Sequence, residues 1–140
     1  MATIRVEIVS AEEEIWSGEG TMVYAPGSSG ELGIAPRHTP LITPLKAGDV
    51  RVEQENGEQQ FFFISGGLLE VQPHLVTVLS DTALRGEDLD EEAAQAAMKQ
   101  AEDKLKDASM DDVDYANMKA ELAAYAAQIR AIEKLKKIRG

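Results

Sequence analysis

A chain of 140 residues with 44% hydrophobic and 28% charged side chains has room for one or two small globular units and excludes a large multidomain enzyme. It contains no cysteine, which removes disulfides, thiolate nucleophiles and sulfur-ligated zinc, and its net charge of −11 argues against binding nucleic acid. No apolar run approaches the roughly 18 residues that cross a bilayer, and Met1 to Val9 alternates where a secretory leader would be continuously apolar, so the expected setting is the cytosol or a peripheral place on a membrane.

Up to about Arg85 the apolar pattern has period two, as strands with one buried face require. Ile4, Val6 and Ile8 alternate with Arg5 and Glu7. Asn56-Gly57 lies between Val50-Arg51-Val52-Glu53 and Phe61-Phe62-Phe63-Ile64, and because both central residues accept positive φ it predicts a tight hairpin. Leu75 to Leu79 predicts another strand. Pro26, Pro36, Pro40, Pro44 and Pro73 all fall in this half, at expected edges and turns. Many short strands with frequent turns predict a sandwich or barrel.

Beyond Gly86 proline disappears and alanine dominates, which predicts helices. Asp88 is the expected cap of the first, with Glu91 completing a variant of the capping box and Asp90 and Glu92 adding negative charge to the first turn. Ala93, Ala97, Ala101 and Leu105 form a narrow small-residue stripe. Asp107 to Asp112 interrupts the run and offers caps for a second helix over about Val113 to Ile138, and so short a link predicts an antiparallel hairpin.

On that second helix Tyr115, Met118, Leu122, Tyr125, Ile129 and Ile132 share one side, while Ala116, Ala120, Ala123, Ala127 and Ala131 cluster nearly opposite. The alanine side suits the stripe of the first helix; the bulky side either docks on the β domain alone or also serves a partner. Net charge is −7 over residues 1–86, −8 over 87–114 and +4 over 115–140. The basic end complements the helix dipole or meets an acidic partner.

Little in the chain suggests bond-making chemistry. Gly27-Ser28-Ser29-Gly30-Glu31-Leu32-Gly33 lacks the Lys and Ser/Thr of a phosphate-binding loop, so a surface turn with positive φ is expected. His38 and His74 are the only histidines, both in turns, and Ser65-Gly66-Gly67 reads as a bend. Asp111, Asp112 and Asp114 offer a carboxylate cluster for Mg²⁺, or helix caps. No catalytic residue, metal or cofactor is expected.

Ser10-Ala11-Glu12, Gly30-Glu31-Leu32-Gly33-Ile34, His38-Thr39-Pro40-Leu41, Ser65-Gly66-Gly67, Glu70-Val71-Gln72-Pro73 and Asp81-Thr82-Ala83 occur in order, followed by Asp88-Leu89-Asp90-Glu91 and the helix from Tyr115 to Lys137. Together they resemble the epsilon subunit of the bacterial F-type ATP synthase. The resemblance implies an all-β sandwich over residues 1–86 that binds the rotor, then an antiparallel two-helix hairpin over 87–140 that regulates it. It implies a non-catalytic subunit of the central stalk, at the cytoplasmic face of the bacterial inner membrane and peripheral to it through the complex. The sandwich would bind the gamma subunit and the c ring, coupling proton-driven rotation to ATP synthesis, and the helices would restrain ATP hydrolysis.

Carried over by residue, Glu31, His38 and Thr43 would lie at the ring-facing end of the sandwich. Tyr125, Ile129, Arg130, Ile132, Lys134, Lys136 and Lys137 would meet gamma or the alpha/beta catalytic head. Some members bind ATP through Ile or Leu, Asp, two variable residues, Arg and Ala; here Leu89-Asp90-Glu91-Glu92-Ala93-Ala94 places Ala93 at the arginine position. The missing guanidinium leaves three carboxylates facing a triphosphate, so nucleotide binding is not expected. Two rivals differ in class: an acidic-tipped helical-hairpin transcription or chaperone factor working through Asp111 and Asp112, and a small hydrolase using His38. In bacterial transcript-cleavage factors the hairpin precedes the globular domain, whereas here it follows.

Overall fold

Alternating apolar residues pair off along nearly the whole first half of the chain. In this computed structural model, which describes residues 2–106 and 111–139, ten strands precede two helices. The strands are β1 (Ile4–Ser10), β2 (Glu14–Gly20), β3 (Met22–Gly27), β4 (Gly30–Ile34), β5 (Leu41–Leu45), β6 (Gly48–Glu53), β7 (Gln59–Ile64), β8 (Gly67–Gln72), β9 (Leu75–Ser80) and β10 (Ala83–Arg85). The helices are α1 (Glu91–Leu105) and α2 (Asp112–Arg139). The chain divides into two units, Met1–Asp88 and Leu89–Gly140.

Hydrogen bonding runs β10-β7-β6-β3-β5-β8-β9-β1-β2, with β4 paired to β3 off this path. Every pairing is antiparallel except β1 with β9. The sheet folds back on itself as a barrel-like sandwich: β10 returns to β1 and β2, where Arg85 donates to the Ile15 carbonyl at 2.5 Å. Ile4, Val6, Ile8, Val23, Val50, Val52, Phe62, Ile64, Leu69, Val71, Val76 and Val78 form the core between the layers. Their burial is the main source of stability, since apolar area removed from water is worth about 25 cal/mol per Å². Trp16 leans on Phe62 with ring centroids 5.8 Å apart.

The strand register gives the sandwich two ends. One gathers the β3–β4 turn, Lys46-Ala47, Ser65-Gly66 and Asp81-Thr82; the other gathers Thr21, the β6–β7 loop and the Pro73-His74 turn. Prolines sit where their missing N–H is not needed: Pro26 and Pro44 lie within strands, and their carbonyls accept from Lys46 N at 2.9 Å and Ser28 N at 3.3 Å.

The Asn56-Gly57 hairpin exists, but not as a two-residue turn. Gly57 alone has positive φ, +87°; Gly57 N donates to Gln54 O and Gln54 N to Glu58 O. That is a three-residue loop with a glycine bulge, which needs one left-handed residue rather than two.

The helical start also differs from expectation. Asp88 ends a short 3₁₀ turn, Gly86–Asp88, and the cap is Asp90, whose carboxylate accepts from Ala93 N at 3.1 Å. The buried stripe of α1 runs through Ala94 and Ala101 with Ala97 and Leu105 half-buried, while Ala93 is exposed. A strict four-residue repeat drifts off a 3.6-residue helix, so the stripe begins one residue later than read. Of the expected link at Asp107 to Asp112, residues 107–110 lie outside the described residues. Asp111 caps α2, its carboxylate accepting from Asp114 N at 2.7 Å.

The helices pack on each other, and Lys136 near the end of α2 pairs with Glu91 at the start of α1, which makes them antiparallel. At 1.5 Å per residue α1 is about 22 Å long and α2 about 42 Å. The excess appears as exposure: from Asp112 to Ala120 only Met118 is even half-buried. Ala116, Ala120 and Ala123 are therefore exposed, and the alanine side of α2 is buried only at Ala127 and Ala131, continued by Leu135.

Candidate functional site

Two outer faces of the sandwich and one stretch of α2 carry the residues singled out from the sequence. On the face formed by β5, β8, β9 and β1 the register sets Pro44 beside Leu68, Leu68 beside Leu79 and Leu79 beside Val9. The result is an apolar row across four strands, with Leu68 and Leu79 37% and 38% exposed. Ile42, two residues along β5 from Pro44, is 67% exposed. Next to the row a shallow groove of about 410 Å³ is lined by Ser10, Ser65, Gly66, Ser80 and Asp81 among others. Its serine hydroxyls are committed: Ser80 Oγ reaches Thr82 O at 2.8 Å and Gly66 O at 2.5 Å, Ser65 Oγ accepts from Thr82 N, and Ser10 Oγ donates to Glu13 O at 3.2 Å. The groove is shaped by backbone, not by a set of catalytic groups.

The opposite outer face, built by β4, β3 and β6, is polar. Arg51 lies over the Tyr24 ring, 4.6 Å from its centroid, donates from Nε to Asp49 at 3.2 Å and pairs through Nη2 with Glu31. A Cβ at Gly33 would come within 3.3 Å of the flexible end of Met22 and into ordinary contact with the Tyr24 ring at 3.6 Å.

The three residues expected at one end of the sandwich do not share it. Glu31 is exposed beside the β3–β4 turn. His38 is at the other end, half-buried, in a turn closed by its N–H to Ala35 O and pinned where Arg37 N meets Pro73 O at 3.0 Å. Its Nδ1 donates to Thr39 O at 2.7 Å. Arg37 fills the left-handed position of that turn with φ +66°. Thr43 is between them, half-buried, on the side of β5 shared by Leu41 and Leu45 rather than with Ile42 and Pro44.

On α2, Ile132 is buried, Tyr125, Ile129 and Lys134 are half-buried, and Arg130, Lys136 and Lys137 are exposed. Arg130, Lys134 and Lys137 follow one another at helical spacing. Lys136 is turned to Glu91 of α1. Tyr125 donates its hydroxyl to Glu121 at 2.8 Å. That bond, then partial burial and the nearby negative charge, hold its pKa above the ordinary phenol value. Among the described residues no group of three or more His, Asp or Glu is placed to hold a metal, and no helix is long and apolar enough to cross a membrane.

Sequence reasoning passed over Arg51 and Leu135. The only local signal for Arg51 was a cation in an otherwise apolar, alternating strand; for Leu135 it was the next step, four residues on, after Ala127 and Ala131.

The ATP synthase delta/epsilon chain β-sandwich domain matches residues 3–86, and the long α-helix domain of the same chain matches residues 87–133. The chain belongs to the ATP synthase delta/epsilon family. A relative from Delftia acidovorans, an ATP synthase epsilon chain, is 57% identical over 139 residues, spanning 99% of this chain and 100% of its own. The Halorhodospira halophila epsilon chain is 54% identical over 138 residues, 98% of this chain and 97% of that one. A cryo-EM structure of the Euglena gracilis mitochondrial ATP synthase contains a chain that superposes with a TM-score of 0.81 at 22% identity, over 94% of this chain and 82% of that one. A chain of the Tetrahymena thermophila mitochondrial central stalk and c-ring gives 0.60 at 14%, over 94% and 97%. These two likenesses concern the fold. Membership of the delta/epsilon family leaves the transcription-factor, chaperone and hydrolase alternatives without support.

Proposed function

We propose that this delta/epsilon-family chain is a non-catalytic central-stalk subunit of a proton-translocating F-type ATP synthase. The sandwich joins the gamma subunit to the c ring and so helps couple ring rotation to ATP synthesis, while the helical unit restrains ATP hydrolysis in the alpha/beta head. The subunit works at the cytoplasmic face of a bacterial inner membrane and is held there by the complex. One observation carries the reading: an apolar row in which Pro44, Leu68 and Leu79 are exposed and Val9 is half-buried, flanked by the exposed Ile42, lies on the outer face of the sheet. A row of this kind is costly in water and suits a permanent protein neighbour. Gamma is the neighbour that would cover it, and a stiff β body held on both gamma and ring turns with them rather than deforming.

The helical unit contributes charge. Arg130, Lys134 and Lys137 form a basic stripe on a chain of net charge −11, so acidic surfaces of the catalytic head would be drawn to this segment and repelled by most of the rest. Tyr125, Ile129 and Ile132 supply the apolar side of the same contact. Lys134, which already has a partner, and Lys136, which is paired with Glu91, would join it only when those interactions are released.

The test is binding of purified gamma. Ile42→Asp and Leu79→Asp alter exposed positions, so the sandwich should keep its melting temperature while affinity for gamma falls at least tenfold. Unchanged affinity in both variants overturns the assignment of this face.

A further inference from the structure

Among the described residues β4 pairs only with β3, and its sequence Gly30-Glu31-Leu32-Gly33-Ile34 includes two glycines, which weaken a strand. Ile34 is buried in the core and Leu32 packs against it, so apolar contact holds one face. The other face is held by a layered contact across three strands. The register sets Arg51 of β6 beside Tyr24 of β3, and Tyr24 beside Gly33 of β4. The Tyr24 ring covers the side-chain space that Gly33 leaves empty, as an aromatic neighbour does for an edge glycine. The Arg51 guanidinium lies over that ring, is held at Nε by Asp49 on its own strand, and reaches through Nη2 to Glu31 of β4. The Arg51 side chain is 17% exposed and that of Glu31 53%, so the link is packed at the β6 end and open to solvent at the β4 end. The chain is fixed on both sides of β4: Ser28 N donates to Pro44 O at 3.3 Å, and Arg37 N to Pro73 O at 3.0 Å.

We propose that β4 is a detachable strap of the sandwich and that Arg51 is its clasp. The segment between Ser28 and Arg37 lifts from β3 while the other strands stay paired, and the Arg51–Glu31 link sets how often it does so. Lifting gives up the pairing with β3 and the packing of Leu32 and Ile34, but it returns backbone freedom to two glycines, the residue type that loses most on being ordered. Gly30, with φ +141°, is the hinge next to the Ser28 anchor. Local openings of a strand with one neighbour cost far less than unfolding the domain. Because the β4 end of the clasp is an ion pair in contact with water, salt loosens the strap. The device is internal to the sandwich and works whichever neighbour the sandwich binds.

Hydrogen exchange of the full chain, followed amide by amide by NMR, tests this, with β9, which lies between β8 and β1, as the internal standard. In the unmodified chain the protected amides of β4 should exchange faster than those of β9. Glu31→Gln removes the ion pair alone and should speed β4 exchange about threefold. Arg51→Met also removes the cation from the Tyr24 ring and should speed it about tenfold, with β9 unchanged. The double variant should open no more than Arg51→Met, because Glu31 acts on the strap only through Arg51. Raising salt to about 0.5 M should speed β4 exchange in the unmodified chain and leave Arg51→Met unaffected. Arg51→Lys keeps the charge without the fork or the stack; it should fall between the two and serves if Arg51→Met does not fold. Equal acceleration of β4 and β9 would make Arg51 a contributor to overall stability and overturn the proposal. So would β4 amides that exchange only as slowly as β9, an Arg51→Met variant with unchanged β4 exchange, or effects of Glu31→Gln and Arg51→Met that multiply in the double variant.

Discussion

A methyl group added at Gly67 would run into the Leu79 carbonyl of the neighbouring strand, and the backbone there has φ +147°. Neither the strand nor the side chain can give way, because the obstructing atom is backbone. Gly67→Ala is therefore expected to destabilise the sandwich by about 3 kcal/mol, read from urea denaturation. Gly57 has φ +87° but open space around it, so Gly57→Ala should cost only about 1 kcal/mol of backbone strain and Gly57→Asn less. The sequence pattern Ser65-Gly66-Gly67 revealed a bend but not this difference, because the obstructing carbonyl belongs to a residue twelve places further on. Tyr125 offers a test by titration. Its hydroxyl donates to Glu121, which favours the neutral phenol, so it should lose its proton above the ordinary value of 10 when phenolate absorbance is followed. A pKa raised in the folded state gives stability that is complete below pH 10 and is lost as pH rises through the folded value. Glu121→Ala should bring the tyrosine back toward 10; a titration unaffected by that change would place the cause elsewhere.

At the scale of the element, α1 and α2 show what kind of contact alanine makes. Ala94, Ala101, Ala127 and Ala131 are each 4% exposed or less, so the backbones can approach closely, yet each buries only a methyl group. Ala101→Leu should therefore lower the stability of the helical unit by about 1 to 3 kcal/mol through overpacking. Ala120→Leu, on the same residue type in the exposed part of α2, should change it by less than about 0.5 kcal/mol. Thermal loss of helical circular dichroism compares the two directly, and equal effects would mean that the alanine side of α2 is covered along its whole length. Existence, order and type of these helices were legible from composition, because proline stops at Pro73 and alanine recurs. Their faces were legible only in part. A repeat read as Ala93-Ala97-Ala101 is really Ala94-Ala97-Ala101 once 3.6 residues make a turn, and the uncovered start of α2 follows from the unequal lengths of the two helices, which no periodicity reports. The strands fared better for the same physical reason: a period of two does not drift, so Ile4, Val6 and Ile8 could be placed inside without knowing their partners. Glu31, His38 and Thr43, by contrast, are close in sequence and spread from one end of the sandwich to the other, because the strand β4 and the Pro36-Arg37 turn carry the chain across the domain between them.

For the whole molecule, the division of labour between the two units depends on whether the sandwich is complete without the helices. Its core residues all lie before Gly86, and the sheet closes through β10, where Ala83 pairs with Ile64 and Arg85 bonds to Ile15 O. The period-two pattern ends at about Arg85, where a sequence-based cut would fall. The structure moves the cut, since Gly86 is buried and the turn Gly86–Asp88 packs beside β7. A fragment of residues 1–88 should fold in a single cooperative transition, keep the near-ultraviolet signal of Trp16 against Phe62, and bind gamma as the full chain does. One ending at Arg85 should fold with a lower midpoint, because the chain end then frays next to the strand that closes the sheet. If the 1–88 fragment is unfolded, the helices are part of the folding unit and cannot serve as a separable regulator. If it folds but fails to bind gamma, the apolar row of Leu68 and Leu79 is not sufficient as a dock, and the helical unit must supply part of the interface.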